Sequence, residues 1–215
     1  MYALVSSLWP PEERKLEGTG TILSLAHECF DMTVAIVGGG PAGLSTALYT
    51  AKNGLDTLVF DTDSTWVHSA HLSNYLGIES IDGDDFLEIA RHQVDTFGAD
   101  RHQDEEITDI ESTDSGFAIE SDRGHYDAKY VVLATGQARD LASLLGCEFN
   151  ANGTVRVDED NGTTVENVYA AGWIARKDKI QVAISVGMGS SAGLDILSKE
   201  QGRPFHDFDT PENAE

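Results

Sequence analysis

Between Thr33 and Asp61 the chain runs TVAIVGGGPAGLSTALYTAKNGLDTLVFD, and this stretch constrains the fold more than any other. Thr33 to Val37 is an apolar, β-branched run of the kind that forms a strand buried on both faces of a parallel sheet. After Gly38 to Gly43, the small-residue segment LSTALYTAK from Leu44 reads as a helix, stopped by Asn53-Gly54, and Asp56 to Asp61 as a second strand. Strand, glycine loop, helix and strand within about 30 residues make a βαβ unit. The fold class this predicts is α/β: a single Rossmann-type domain, a parallel sheet with helices on both faces.

The loop itself carries chemistry. Gly38, Gly40 and Gly43 fit G-x-G-x-x-G, with Gly39, Pro41 and Ala42 between them. The first glycine permits a tight turn, the second lets backbone approach a pyrophosphate, and the third lets helix and strand pack closely. The pyrophosphate charge then faces the N–H groups of a helix N-terminus. Asp61 lies 18 residues beyond Gly43 and closes the second strand. A carboxylate there accepts hydrogen bonds from an adenosine ribose and opposes a 2′-phosphate. The expected ligand is FAD or NAD, not NADP.

Downstream, residues 62–83 read as a long polar connection, and Asp84-Asp85 as the cap of a helix over 86–98. Glu106–Ser112, Gly116–Ser121 and His125–Lys129 alternate and are joined by turn residues, which predicts an antiparallel β-meander. Tyr130–Ala134 is another buried strand. A helix-like stretch at Leu141–Leu145, strands at Thr154–Asp158 and Asn167–Ala171, and a helix from Gln181 to Lys199 complete the reading. Gly187, Gly189 and Gly193 imitate a second fingerprint, but the last spacing is one residue too long. They fit a small-residue helix packed close to a neighbour.

The order of these motifs, with Asn74-Tyr75-x-Gly77, Ala134-Thr135-Gly136 and Val168-Tyr169-Ala170-Ala171-Gly172, resembles the flavin-binding half of the low-molecular-weight thioredoxin reductases. These belong to the pyridine nucleotide–disulfide oxidoreductases. The resemblance covers roughly residues 32–199. It implies FAD as cofactor, with Gly38 to Gly43, Asp61, Asn74, Thr135, Gly136, Gly172, Trp173 and Gln181 around it.

Three departures limit what the resemblance implies. Only 32 residues separate Gly136 from Tyr169, too few for the family's inserted NAD(P)H domain. The chain has two cysteines, Cys29 and Cys147, and no C-x-x-C. Trp173 stands where the family has the Asp of A-A-G-D, and a donor-only indole cannot accept the ribityl hydrogen bond. The implied activity is an FAD-dependent oxidoreductase, thioredoxin-reductase-like, that is not a self-sufficient disulfide reductase. Its electron donor or acceptor is a small molecule or a protein. Two alternatives stay open: a non-catalytic flavin-binding or redox-sensing module of a complex, and an NAD-binding domain without flavin.

The sequence names no catalytic acid, base or nucleophile, and no metal site. His68 and His71 form H-x-x-H, but no further His or Cys cluster supplies the remaining ligands. Cys147 reads as a buried apolar filler. The formal charge of −23, from 37 acidic and 14 basic residues, opposes phosphate backbones and anionic membranes, so nucleic acid is not an expected partner. Its spread along the chain resembles a cytoplasmic protein of a salt-loving organism. No apolar run reaches membrane-spanning length, so no membrane partner is expected either. A homodimer is an open arrangement.

Residues 1–31, before Met32, do not share the patterning of the rest of the chain. The reading favoured is that translation starts at Met32 and that 1–31 is an over-extended or mobile arm, against a docking segment near Ile22 to Cys29. The domain is expected over 32–199, followed by a polar tail over 200–215.

Overall fold

The computed structural model describes residues 33–209; the expectations for residues 1–31 lie outside the described residues. The chain opens with β1 (Val34–Val37), α1 (Pro41–Lys52) and β2 (Thr57–Asp61), which is the βαβ unit read from sequence. There follow β3 (His71–Leu72), β4 (Ile81–Asp82), α2 (Gly83–Thr96) and β5 (Asp100–Gln103). The meander is β6 (Ile107–Thr113), β7 (Gly116–Ser121) and β8 (His125–Ala128). β9 (Tyr130–Leu133), α3 (Asp140–Leu144), β10 (Val168–Ala170) and α4 (Val182–Gln201) complete the described chain.

Five strands form a parallel sheet in the order β10-β9-β1-β2-β5. Alternation along β1 assigns its two faces. Val34 and Ile36 pack with Leu44, Ala47 and Ala51 of α1, Val94 of α2, and Ala192 and Ile196 of α4. Ala35 and Val37 face the other way, with Ile110, Phe117 and Ile119 of the meander and Ala142 of α3. The central strand is therefore buried on both sides, which is why it reads as a continuous apolar run.

Helices α1 and α4 lie close because α4 presents glycine to α1. A Cβ on Gly189 would fall 2.1 Å from the Ala42 carbonyl oxygen, and one on Gly193 would fall 2.9 Å from Tyr49 Cβ. The contact is also polar: Thr46 Oγ1 donates to the Gly189 carbonyl at 3.0 Å, and Ser45 Oγ to that of Val186 at 2.9 Å. This is the close packing that the glycine spacing suggests.

The meander is fastened to the sheet by a buried charge. Glu105, 3% exposed, accepts from the Ser121 hydroxyl at 2.5 Å and the Tyr126 hydroxyl at 2.7 Å, and meets His102 Nδ1 at 3.0 Å. Burial pushes its pKa up, yet these donors leave it below the usual carboxylate value. His102 in turn stacks on Phe60 of β2.

Several expectations need correction. Thr154–Asp158 is not a strand: Val155 makes only an isolated bridge to Phe149. The helix expected over 86–98 starts earlier, at Gly83, with Asp82 at its N-cap. A Cβ on Gly83 would collide with the Val67 carbonyl oxygen at 1.7 Å, so this helix start is pressed onto the 62–70 loop. The long connection read over 62–83 holds a 3-10 turn at Trp66–Ser69 and the β3–β4 pair. The fifth strand, β5, has the polar sequence DRHQ, which carries no strand signal. After α4, Phe205 packs on the core and Lys52 binds Asp207 at 3.0 Å and Asp209 at 2.5 Å.

Among the described residues, no helix is long and apolar enough to cross a membrane. The −23 charge gives a first prediction. The melting temperature should rise by roughly 10 °C or more from low to molar salt, because screening relieves self-repulsion. A melting temperature flat across that range would contradict it.

Candidate functional site

The sheet order reverses at β1: the chain steps from β1 to β2 on one side and later returns as β9 on the other. Ligands of such sheets bind outside the carboxyl ends of the strands at this switch point. The loops gathered there are residues 38–40, 62–65, 134–139 and 171–176. They hold most of the residues singled out by sequence.

The glycine loop has the geometry its spacing requires. Gly38 has φ +116° and sits where a Cβ would be 2.4 Å from the Ala134 carbonyl oxygen. A Cβ on Gly43 would be 1.9 Å from the Gly38 carbonyl oxygen and 3.1 Å from Ile36, so only glycine lets α1 approach β1. Gly40 is the N-cap of α1, no side chain caps the helix, and Pro41 occupies its first position. The first-turn N–H groups of α1 are left for an anion.

Asp61 ends β2 and is only 3% exposed. Its Oδ2 lies 2.1 Å from where a Gly39 Cβ would be, so the carboxylate rests directly over the loop. Oδ1 accepts from the Asp63 backbone N–H at 2.8 Å, and Oδ2 accepts from Arg91 Nη2 at 2.8 Å. Arg91 also binds Asp63 at 2.5 Å. This ion pair, and after the opposing effect of burial the His68 ring, hold the Asp63 carboxyl below its usual range.

At the other side of the crevice Gly172 faces Ala42 of the fingerprint, and Trp173 follows in a 3-10 turn at Gly172–Ala175. The Trp173 ring meets that of Trp66 edge-on, with centroids 5.9 Å apart. Trp66 is 73% exposed, and the neighbouring Thr65 hydroxyl lies 3.3 Å from where a Gly40 Cβ would be. The two indoles therefore come from loops on opposite sides of the α1 N-terminus. Asn74 and Gln181, 107 residues apart in sequence, are joined by a hydrogen bond of 2.9 Å, and Gln181 is the N-cap of α4. Thr135 and Gly136 are in the 134–139 loop, where the Thr135 hydroxyl donates to the Ala138 carbonyl at 2.8 Å.

Two arginines were invisible to motif reading. Arg91 lies in the middle of α2, 30 residues from Asp61. Arg139 donates to the carbonyls of Gly136 at 2.9 Å, Gly153 at 3.3 Å and Trp173 at 3.2 Å, tying the 134–139 loop to the Gly172 turn. Burial lowers its pKa. The histidines of H-x-x-H are bound to carboxylates: His68 to Asp63 and Asp84, His71 to Asp82. Cys147 is buried, and burial raises its thiol pKa, an environment for packing more than for nucleophilic attack.

His68 yields a pH prediction. The Asp84 hydrogen bond, offset by burial and reinforced by Asp63, raises its pKa above the ordinary 6.5. A raised folded pKa means its stabilisation is complete below about 6.5 and is lost as pH rises through the folded value. Melting curves of the protein and of His68→Gln should therefore converge as pH climbs from about 6 past neutrality. A constant gap between them would show that His68 does not titrate as a link.

Parallel sheet, switch-point crevice and glycine loop define a Rossmann-type dinucleotide-binding fold. The family model for pyridine nucleotide-disulphide oxidoreductases matches residues 32–144 and 84–188, and the chain belongs to that family. It is 35% identical over 117 residues to a thioredoxin reductase of Peptoclostridium litorale, a match covering 53% of this chain and 37% of that protein. It is 35% identical over 106 residues to an alkyl hydroperoxide reductase component of Staphylococcus aureus, covering 48% and 21%. The match thus spans little more than a third of the first relative's length and about a fifth of the second's. Among solved structures, a thioredoxin reductase from Gloeobacter violaceus superposes with a TM-score of 0.78 at 19% identity, covering 84% of this chain and 99% of that one. The thioredoxin reductase of T. acidophilum gives 0.71 at 20%, covering 80% and 99%. At these identities the likeness establishes the fold.

Proposed function

We propose that this chain is the flavin-carrying part of a thioredoxin-reductase-like oxidoreductase, with FAD as its redox centre and no dithiol of its own. The observation that carries this reading is the conjunction of an uncapped α1 N-terminus with a buried Asp61 carboxylate over Gly39. An anion-binding helix end and an acceptor for a ribose hydroxyl stand side by side, as an adenosine diphosphate half requires. FAD would supply hydride and single-electron chemistry when bound. The residues here bind and orient: Gly38 to Gly43 at the pyrophosphate, Asp61 at the ribose, and Gly172, Thr135 and Gly136 on the facing loops. Asn74 and Gln181, already bonded to each other, offer polar atoms toward the ring end. Electrons come from or go to a small molecule or a protein partner.

Trp173 is the residue that fits this reading least. Its indole offers a donor where a ribityl hydroxyl seeks an acceptor, so affinity should come mainly from the adenosine half. Titration of apo-protein with FAD, followed by flavin fluorescence, tests this. Trp173→Asp should tighten binding by roughly tenfold through a restored charge-assisted hydrogen bond. Unchanged or weaker binding would show that the indole is itself a favourable contact.

A further inference from the structure

Arg91 of α2 has a guanidinium whose side chain is only 18% exposed, beside the end of β2. Its Nη2 donates to both Asp61 Oδ2 and Asp63 Oδ1, at 2.8 and 2.5 Å, while its Nε is buried without a partner among the described residues. A buried cation is unfavourable unless paired, and here one nitrogen serves two carboxylates. The consequence falls on Asp61. Its Oδ1 is fixed by the Asp63 N–H, its Oδ2 by Arg91, and the carboxylate is seated against Gly39. With Gln103 Nε2 a longer 3.5 Å from Oδ2, donors on both oxygens hold the carboxylate plane in one orientation, and Arg91 supplies the short, charged one.

We propose that Arg91 is a positioning residue, one that sets the Asp61 carboxylate to receive a ribose 2′-hydroxyl. This rests on the reading that the crevice takes a dinucleotide with its adenosine end at β2. A free arginine at this place would accommodate a 2′-phosphate. Arg91 is instead committed to two carboxylates, and the cluster keeps a net negative charge that opposes a third anion. Arg91 thereby turns from a phosphate receptor into a support for the residue that selects an unphosphorylated ribose.

The test compares ADP with 2′-deoxy-ADP by titration calorimetry on the full chain, in molar salt so that long-range charge effects are screened. The unmodified protein should prefer ADP by roughly tenfold, the discrimination expected when a buried acceptor is left unpaired. Arg91→Met should weaken ADP by about fivefold and remove most of that preference, leaving 2′-deoxy-ADP nearly unaffected. In an Asp61→Ala background the same change should do nothing further, because positioning acts only through Asp61. A residue that merely supports the fold would weaken both nucleotides alike and add to Asp61→Ala. Should Arg91→Met not fold, Arg91→Lys keeps the charge and loses the planar fork, and should reduce the preference at least about threefold. An undiminished preference in the Arg91 variant, or an additive loss in the double variant, overturns the positioning role. Failure of the unmodified protein to bind ADP at all overturns the dinucleotide reading beneath it.

Discussion

Gly43→Ala is expected to destabilise the protein by about 3 kcal/mol or more, and to remove its capacity for dinucleotide along with it. The added methyl would sit 1.9 Å from the Gly38 carbonyl oxygen, which is backbone and has no rotamer through which to escape. Either α1 lifts off β1 or the fingerprint loop is distorted. Both outcomes displace the helix N-terminus from the crevice. For a domain of this size the loss corresponds to a fall of roughly 10 °C in melting temperature. Gly54→Ala is an informative control, since a Cβ there meets nothing within 4 Å and its positive φ is the remaining penalty. If Gly43→Ala melts no lower than Gly54→Ala, the close approach of helix and strand is not what constrains this position.

Asp61→Ala is expected to weaken FAD by about tenfold to a hundredfold, the equivalent of about 1.5–3 kcal/mol for a hydrogen bond to a charged acceptor. Stability should fall as well, because Arg91 loses one of its two carboxylates and is left buried beside Asp63 alone. The two effects separate by experiment: affinity is read by titrating apo-protein, stability by melting it without ligand. Unchanged FAD affinity would take Asp61 off the ribose.

The central βαβ unit was legible because its determinants are local. VAIV must be apolar on both faces, and the glycines recur at the spacing that turn, ligand approach and helix packing each demand. The meander was legible for a similar reason, since alternation and turn residues are set within a few positions. β5 was not. An edge strand whose residues face solvent or a polar network has no hydrophobic signature, and DRHQ pairs with β2 only because the sheet offers it an edge. Thr154–Asp158 shows the opposite case: its VRV alternation looks like a strand, yet its backbone bonds scatter to Glu148, Ile174 and Gly162 and leave a single isolated bridge, Val155 to Phe149.

The candidate site shows the same division. Gly38 to Gly43, Asp61, Thr135, Gly136 and Gly172 are named by motif and gather at the strand ends. The Asn74–Gln181 bond could be anticipated only as two separate positions. Arg91 and Arg139 gave no sequence signal, because an arginine in a helix or loop ordinarily reads as solvated surface. Their partners, Asp61 at 30 residues and the Trp173 carbonyl at 34, are set by tertiary packing alone.

The most direct measurement is the visible absorption spectrum of the freshly purified protein, repeated after incubation with FAD and removal of the excess. A flavoprotein of the kind proposed shows the two visible bands of an oxidised flavin and releases FAD, identified by chromatography, when denatured. A protein that stays colourless after exposure to FAD, and is stabilised by NAD instead, would contradict the flavin as its redox centre.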